Sequence, residues 1–559
     1  MSVRRNRREQ SGVSLILAIT SLLMVVPMVG LIVDVGVLYA VKSRLQASVD
    51  GAALAAARAL TLGATTAAQA ASARANAVNW FYANFPSGNW STSGTAMSTS
   101  NVQVYDDASN PNLRHVDITA STRVPTYFMK WFNFNSTTIN AIGNASRRDS
   151  VVMLVLDRSG SMCSPGASPC NNTGACGPMK TAAKLFTGQF AAGRDYIGLV
   201  SFSDGVYVHS APTRNFRTVL GFSTSSSSGT GAIDTIQCQG GTNSAQAVSM
   251  GYNELYKMNL PGALNILVFE SDGLPNTMTV NMWDGAAFGF ANLGTSGSPQ
   301  GCRDASGKAA VSGGWASFSN RKLWTGTASP TSAPGTSYNM NSGGTGFISN
   351  IPAGPVGTIY SSDPSQTKAF TLFGDPWDTS GNSGLNLYSS TLAPGCKFVT
   401  SSSDTSDIKW LPNTDVFGNS VNPASHPYKS VTMSGTHLQF DASMTTATKW
   451  TNYHNAALNA TDNAAYRARA NANLPSSVFV IGLGGQGADP PDYTLMQRMA
   501  NDPLPDSFNS PALYTACSSN PNCFYYSNQP RGTFIFSSNQ TQLKQAFLQL
   551  SSQILRLSQ

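Results

Sequence analysis

The run VVMLVLDRSGSMC, residues 151–163, breaks from six apolar residues into Asp157, Ser159 and Ser161. In an extended loop the Asp-x-Ser-x-Ser spacing turns three oxygen-bearing side chains to one side. Two more polar groups have a matching context. Thr242 lies in QGGTNSA, where Gly240 and Gly241 free the backbone ahead of a helical pattern, and Asp272 lies in FESDGLPN, just past the apolar LNILVF. In an open parallel sheet, ligands collect beyond the carboxyl ends of the strands. Two carboxylates and three hydroxyls gathered there form a hard-oxygen set. Such a set suits Mg²⁺, with Mn²⁺ or Ca²⁺ as the other hard cations, and excludes soft metals. Asp157 and Asp272 would balance a dication without surplus charge and leave at least one open position. An acidic group from a protein partner would complete it.

Other chemistry is poorly supported. Ser159 as a hydrolase nucleophile would need a strand-to-helix elbow and an ordered His-Asp pair, and no G-x-S-x-G occurs. GLGGQG, residues 482–487, contains G-x-G-x-x-G but runs into ADPPD, whose prolines deny a dinucleotide the helix it needs. His209 reads as structural, Asp204 as a turn residue, and Arg158 as a motif position outside the chemistry. No catalytic residue is expected, and the chain reads as a binding protein rather than an enzyme.

The elements that must hold these groups alternate. VVMLVL, LNILVF (264–269) and SSVFVIGL (476–483) are near-continuous apolar runs suited to strands buried on both faces. YIGLVSFSDGVYV reads as a strand pair. MKTAAKLFTGQF (179–190), SAQAVSMGYNELYK and NQTQLKQAFLQLSSQIL carry helical spacing, the last following the strand GTFIFS. The fold class is α/β, a doubly wound, mostly parallel sheet. It occupies 150–280 and 453–559. The intervening residues 281–452, rich in Ser, Thr, Gly and Pro, are too long for a structureless loop and are expected to form a β-rich insertion with a core from Trp283, Phe288, Trp315, Trp324, Trp377 and Trp410. A helix should resume at 455–471.

The N-terminal part is of another kind. After a basic arm at 1–10, residues 11–33 hold no charge and are long enough to cross a hydrocarbon core. Arg4, Arg5, Arg7 and Arg8 place the arm in the cytoplasm and the bulk of the chain outside a cytoplasmic (inner) membrane, in the periplasm or on the cell surface. With those four charges and Glu9 set aside, the formal net charge of +7 falls to +4, which argues against nucleic acid. Charged residues are only 11% of the chain. Within 34–148, KSRLQASVDGAALAAARAL should continue the helix, to Phe85 with an interruption near Gly63. VQVYDD and RHVDITASTRVPTYFM alternate like strands of a small antiparallel sheet. All eight cysteines follow residue 160, on the side expected to be oxidising. Cys517–Cys523 and Cys302–Cys396 are the expected pairs, and Cys163, Cys170, Cys176 and Cys238 allow three connectivities. A disulfide at Cys163 would brace the loop of Ser161.

Two resemblances join these readings. Asp157, Ser159, Ser161, Thr242 and Asp272 resemble, position by position, the metal-ion-dependent adhesion site of von Willebrand factor A domains, over about 150–280 and 453–556. The apolar span followed by DVGVLYAVKSRLQ and DGAALAAARAL resembles the N-terminal region of TadE/TadG-like proteins of Flp (tight-adherence) pilus assembly. Together they imply a single-pass envelope protein whose outer domain binds an acidic partner through a divalent metal, in adhesion or with pilus-assembly components. The alternative is a pilin-like structural subunit that displays the same domain. Prepilin processing would want Glu five residues after Gly12, where Leu17 stands.

Overall fold

The computed structural model describes residues 10–221, 231–260, 262–281, 316–317, 355–365, 369–373, 385–388, 398–399, 408–484, 490–503 and 524–558. The chain divides into two compact units, one of residues 1–149 with the last two residues, the other Ser150–Leu557.

The first unit is built on α1 (Gln10–Ala59), whose halves face different surroundings. Almost every side chain from Val13 to Val35 is exposed, and this is the one described helix long and apolar enough to cross a membrane. Farther along, Val41, Leu45, Val49, Ala52, Ala53, Ala56 and Leu60 recur at three- and four-residue spacing and are buried. That stripe packs on Ala73, Ala77 and Phe81 of α2 (Thr66–Asn84) and on a small antiparallel sheet. The sheet comprises β1 (Ser93–Ala96), β2 (Val102–Asp106), β3 (Leu113–Pro125) and β4 (Ser136–Arg148), with β3 paired to the other three. The helix break falls at 60–65, as expected from Gly63, whose φ of +129° suits only glycine.

The second unit begins at β5 (Ser150–Asp157), all eight residues of which are buried. It continues through α3 (Cys176–Gly188), β6 (Tyr196–Phe202), β7 (Val206–Thr213), α4 (Phe216–Leu220), α5 (Ser244–Met258), β8 (Leu264–Ser271) and β9 (Thr277–Asn281). Seven shorter strands follow: β10 (Ala316–Ser317), β11 (Pro355–Ser361), β12 (Phe370–Phe373), β13 (Leu385–Asn386), β14 (Trp410–Leu411), β15 (Met433–Ser434) and β16 (His437–Gln439). Then come α6 (Thr446–Ala470), β17 (Ser477–Leu483), α7 (Tyr493–Ala500), β18 (Phe534–Ser537) and α8 (Gln540–Leu557).

The main sheet runs β18-β17-β8-β5-β6-β7. Every pairing is parallel except β6 with β7, the hairpin read from YIGLVSFSDGVYV. Because side chains alternate across a strand, β5 feeds two cores. Val151, Met153 and Val155 pack with α5, α6 and α7. Val152, Leu154 and Leu156 pack with α3, α4 and α8. Strand order reverses between β5 and β8, which makes the crevice past their carboxyl ends the switch point of the sheet.

The insertion is β-rich where it is described, and it packs against the α/β unit. Strand β9 pairs with β11 in a five-stranded antiparallel sheet, although the sequence reading ended the first part of the α/β region at 280. Its core is aromatic, with Phe370 set edge-on to Tyr388, Phe398, Phe440 and Tyr453. Of the aromatics expected there only Trp410 is among the described residues. Helix α6 starts nine residues before the expected 455. Its early turns bury polar groups, which hid the apolar period: Asn452 donates to Thr432 and Gln439 carbonyls, and Asn459 to those of Val421 and Lys429.

The contact of α5 with β5 rests on a missing side chain. A Cβ at Gly251 would stand 2.7 Å from Val155 Cγ2. Gly251→Leu is therefore expected to lower unfolding free energy by about 1–3 kcal/mol through overpacking, despite better helix propensity, as read by urea denaturation.

Candidate metal centre

Three loops at the switch point carry the five residues singled out in the sequence. Asp157 closes β5, Ser159 and Ser161 follow in the next turn, Thr242 lies two residues before α5, and Asp272 follows β8 directly. The structure brings all five together. Ser159 Oγ and Ser161 Oγ are 2.8 Å apart, and Ser161 Oγ donates to Asp272 Oδ1 at 2.6 Å. Thr242 completes the group: a methyl at Gly273 would lie 3.5 Å from Ser161 Oγ and 3.6 Å from Thr242 Oγ1.

Neighbours fix these loops. Asp157 Oδ1 accepts from Ser159 N at 2.7 Å, and its Oδ2 from Ser271 Oγ at 2.5 Å. Gly160 N donates to Gly240 O at 2.8 Å, which ties the serine loop to the Thr242 loop. Asn276 Oδ1 accepts from Thr242 N at 2.7 Å. Asp204, read as a turn residue, is buried and accepts from Gly241 N at 2.7 Å. Gly240 holds φ +81° with no room for a Cβ beside Asp204, so the glycine pair is required here. Ser271, Asn276 and Asp204 were not recognised as positioning groups. Ser271 and Asn276 flank Asp272 in FESDGLPN, where only proximity to the aspartate marks them.

Asp157 and Asp272 are fully buried, and burial raises both carboxyls above the ordinary aspartate range, Asp272 also through the charge of Asp157. Glu270, one residue inside β8, is pushed well above its usual value by burial and by both aspartates. Asp272 Oδ2 is buried with no hydrogen-bond partner among the described residues, although buried polar atoms are almost always paired. A hard divalent cation fits this set: every donor is oxygen, and a carboxylate oxygen is left over for it. The sulfurs of Cys170, Cys176 and Cys238 also lie within 4.8 Å of one another, but each is bound in a disulfide and offers no thiolate.

Those disulfides, Cys163–Cys170 and Cys176–Cys238, resolve the connectivity the sequence left open. Cys170 and Cys238 exchange backbone hydrogen bonds at 3.0 and 2.8 Å. The segment after Ser161 is thus fastened to the segment that leads into Thr242, and Cys163 braces the serine loop as expected. Cys302, Cys396, Cys517 and Cys523 lie outside the described residues.

Residues 152–274 match the von Willebrand factor type A domain model, and residues 12–59 match the Flp pilus-assembly TadE/G-like model. No curated protein matches the chain. Among solved structures it is similar to the PilB minor pilin from Streptococcus sanguinis, at 10% identity over 84% of this chain and 80% of that one, TM-score 0.33. It is also similar to the vWF domain of the type V pili tip protein Mfa5 from Porphyromonas gingivalis, at 14% identity over 74% and 98%, TM-score 0.31. A third similarity is to the pilus adhesin RrgA from Streptococcus pneumoniae, at 10% identity over 80% and 48%, TM-score 0.27.

Two measurements test the framework around the centre. Removal of Cys176–Cys238, which closes a 62-residue separation, should cost about 4 kcal/mol on the chain-entropy account, read by denaturant titration of the Cys176→Ser/Cys238→Ser variant. His209, buried beside Ser201 at 2.7 Å, is structural in this framework; burial, aided by the charge of Arg158, lowers its pKa to about 3. Between pH 6.5 and about 3 the unfolded chain binds a proton there that the folded chain does not, so this contribution is full above pH 6.5 and fades on acidification. Stability of the parent should therefore fall more steeply from pH 7 to 4 than that of His209→Gln; equal slopes would remove the assignment.

Proposed function

For a chain that pairs a TadE/G-like N-terminal segment with a von Willebrand factor type A domain, we propose a membrane-anchored protein of pilus assembly. Its outer domain captures an acidic group of a protein partner through a divalent cation. Asp157, Ser159, Ser161, Thr242 and Asp272 would hold the ion, Mg²⁺ before Mn²⁺ or Ca²⁺. The cation, when bound, supplies an electrophilic site for a carboxylate oxygen. The observation that carries the reading is the convergence of five oxygen side chains from three loops around two buried aspartates, one with an oxygen that has no hydrogen-bond partner among the described residues.

The charge balance explains why the partner's group should be acidic. Two aspartates cancel the dication but leave a coordination position open, which a carboxylate oxygen can fill and a protonated amine, with no lone pair, cannot. The protein's own groups orient the site: Ser271 and the Ser159 amide steer Asp157, and Asn276 and Asp204 shape the Thr242 loop. Among the described residues no nucleophile with an activating base accompanies them, and the proposed role is binding without covalent chemistry. The apolar half of α1 is the proposed anchor, with the basic arm in the cytoplasm.

Titration with Mg²⁺ or Mn²⁺ tests this directly. At a hundredfold excess over Kd the ion should stabilise the protein by about 2.7 kcal/mol, seen as a raised unfolding midpoint that EDTA reverses. Ser161→Ala and Asp272→Asn should lose that rise. Without metal, Asp272→Asn should be at least as stable as the parent, because it relieves buried repulsion. A parent protein that shows neither binding heat nor a shifted midpoint with either ion would refute the proposal.

A further inference from the structure

The end of the apolar span is fastened to a loop of unusual composition. Asp34, the first charge after the span, is only 2% exposed. Its carboxylate accepts three consecutive backbone N–H groups: Tyr127 at 2.7 Å, Phe128 at 3.0 Å and Met129 at 2.7 Å. These open the turn Met129–Phe132, which closes through Asn133 at φ +67° between β3 and β4. One carboxylate thus fixes the loop to α1 at the residue where the hydrophobic span stops.

The loop reaches back along that span. A Cβ at Gly30 would lie 2.6 Å from Phe128 Cγ, so the Phe128 ring rests on α1 four residues before Asp34, about 6 Å into the apolar segment. Around it the side chains face outward: Trp131 is 82% exposed, Phe134 62% and Phe132 59%, and Tyr127 is also exposed. The segment YFMKWFNF has five aromatics in eight residues, no acid, and one charge, Lys130. A water-exposed surface of that kind is costly, whereas aromatic rings are at home in the headgroup layer and a lysine beside them meets lipid phosphate.

We propose that residues 127–134 form a second membrane contact, seating their aromatic side chains in the interfacial layer of the leaflet from which α1 emerges. The occupant is a lipid surface, because the loop is continuous with the apolar span and Phe128 lies within it. The contact rests on the membrane-spanning reading of α1. It fixes the depth of the helix and, through Asp34, its rotation.

The test uses the full chain in liposomes containing phospholipids brominated either near the carbonyl or near the chain end. The carbonyl-proximal quencher should quench the Trp131 emission, taken as the difference between parent and Trp131→Phe, more strongly, and the quenching should fall by about half or more in Gly30→Leu, which displaces Phe128. A benzophenone amino acid at position 131 should cross-link to lipid. Release of the chain by alkaline carbonate would overturn the spanning reading and this inference together. Retention with unquenched Trp131, or cross-linking from position 131 to protein instead of lipid, would overturn the inference alone.

Discussion

Two aspartates out of reach of water, at the ends of neighbouring strands, set the terms for the α/β unit. Asp157 ends β5 and Asp272 directly follows β8, and parallel pairing of these strands forces the two carboxylates into one crevice. Burial and mutual repulsion oppose their charge. The surroundings are arranged to make that charge tolerable: hydroxyls donate to it, amides point at it, and the glycines at 240 and 241 bring a third loop close enough to add Thr242. The ordinary hydrophobic part of the fold, two cores on the faces of one sheet, supplies the rigidity that keeps the carboxylates from moving apart.

The covalent links act on the same problem. Both described disulfides join segments that border the centre, and all four cysteines are buried beside the core on that face of the sheet. The loop after β5 is long and holds little regular structure before α3, so its conformational entropy would work against a fixed Ser159–Ser161 geometry. Cross-links at 163, 170, 176 and 238 remove that freedom where it would do most harm. The antiparallel sheet containing β9 packs directly against α5 and α6, and Met278 N donates to Tyr453 Oη at 2.8 Å.

Much of this was legible because it is local or periodic. Apolar runs of six to eight residues marked β5, β8 and β17, and their polar terminations marked Asp157 and Asp272. Spacing within the chain could not say that Cys176 meets Cys238, nor that Asp204 would lie beneath Gly240, since both depend on how loops meet after folding. The start of α6 was hidden for a different reason. Buried asparagines that satisfy loop carbonyls replace the apolar residues a helical period would show. The insertion's core was assigned to five tryptophans and Phe288; of these only Trp410 is described, and it packs against a core that gathers around Phe370, whose neighbours come from four separate segments.

Strand β5 has a further property. In sequence it begins at Ser150, the first residue of the α/β unit. Asp157, at the opposite end, belongs to the centre. A pull between Ser150 and Asp157 runs along the axis of this one strand, flanked by parallel neighbours on both sides. Its hydrogen bonds to β6 and β8 lie across the pull and resist together, in shear, instead of opening one at a time like a zipper. The strand that ends in Asp157 is therefore also built to bear tension along its own axis.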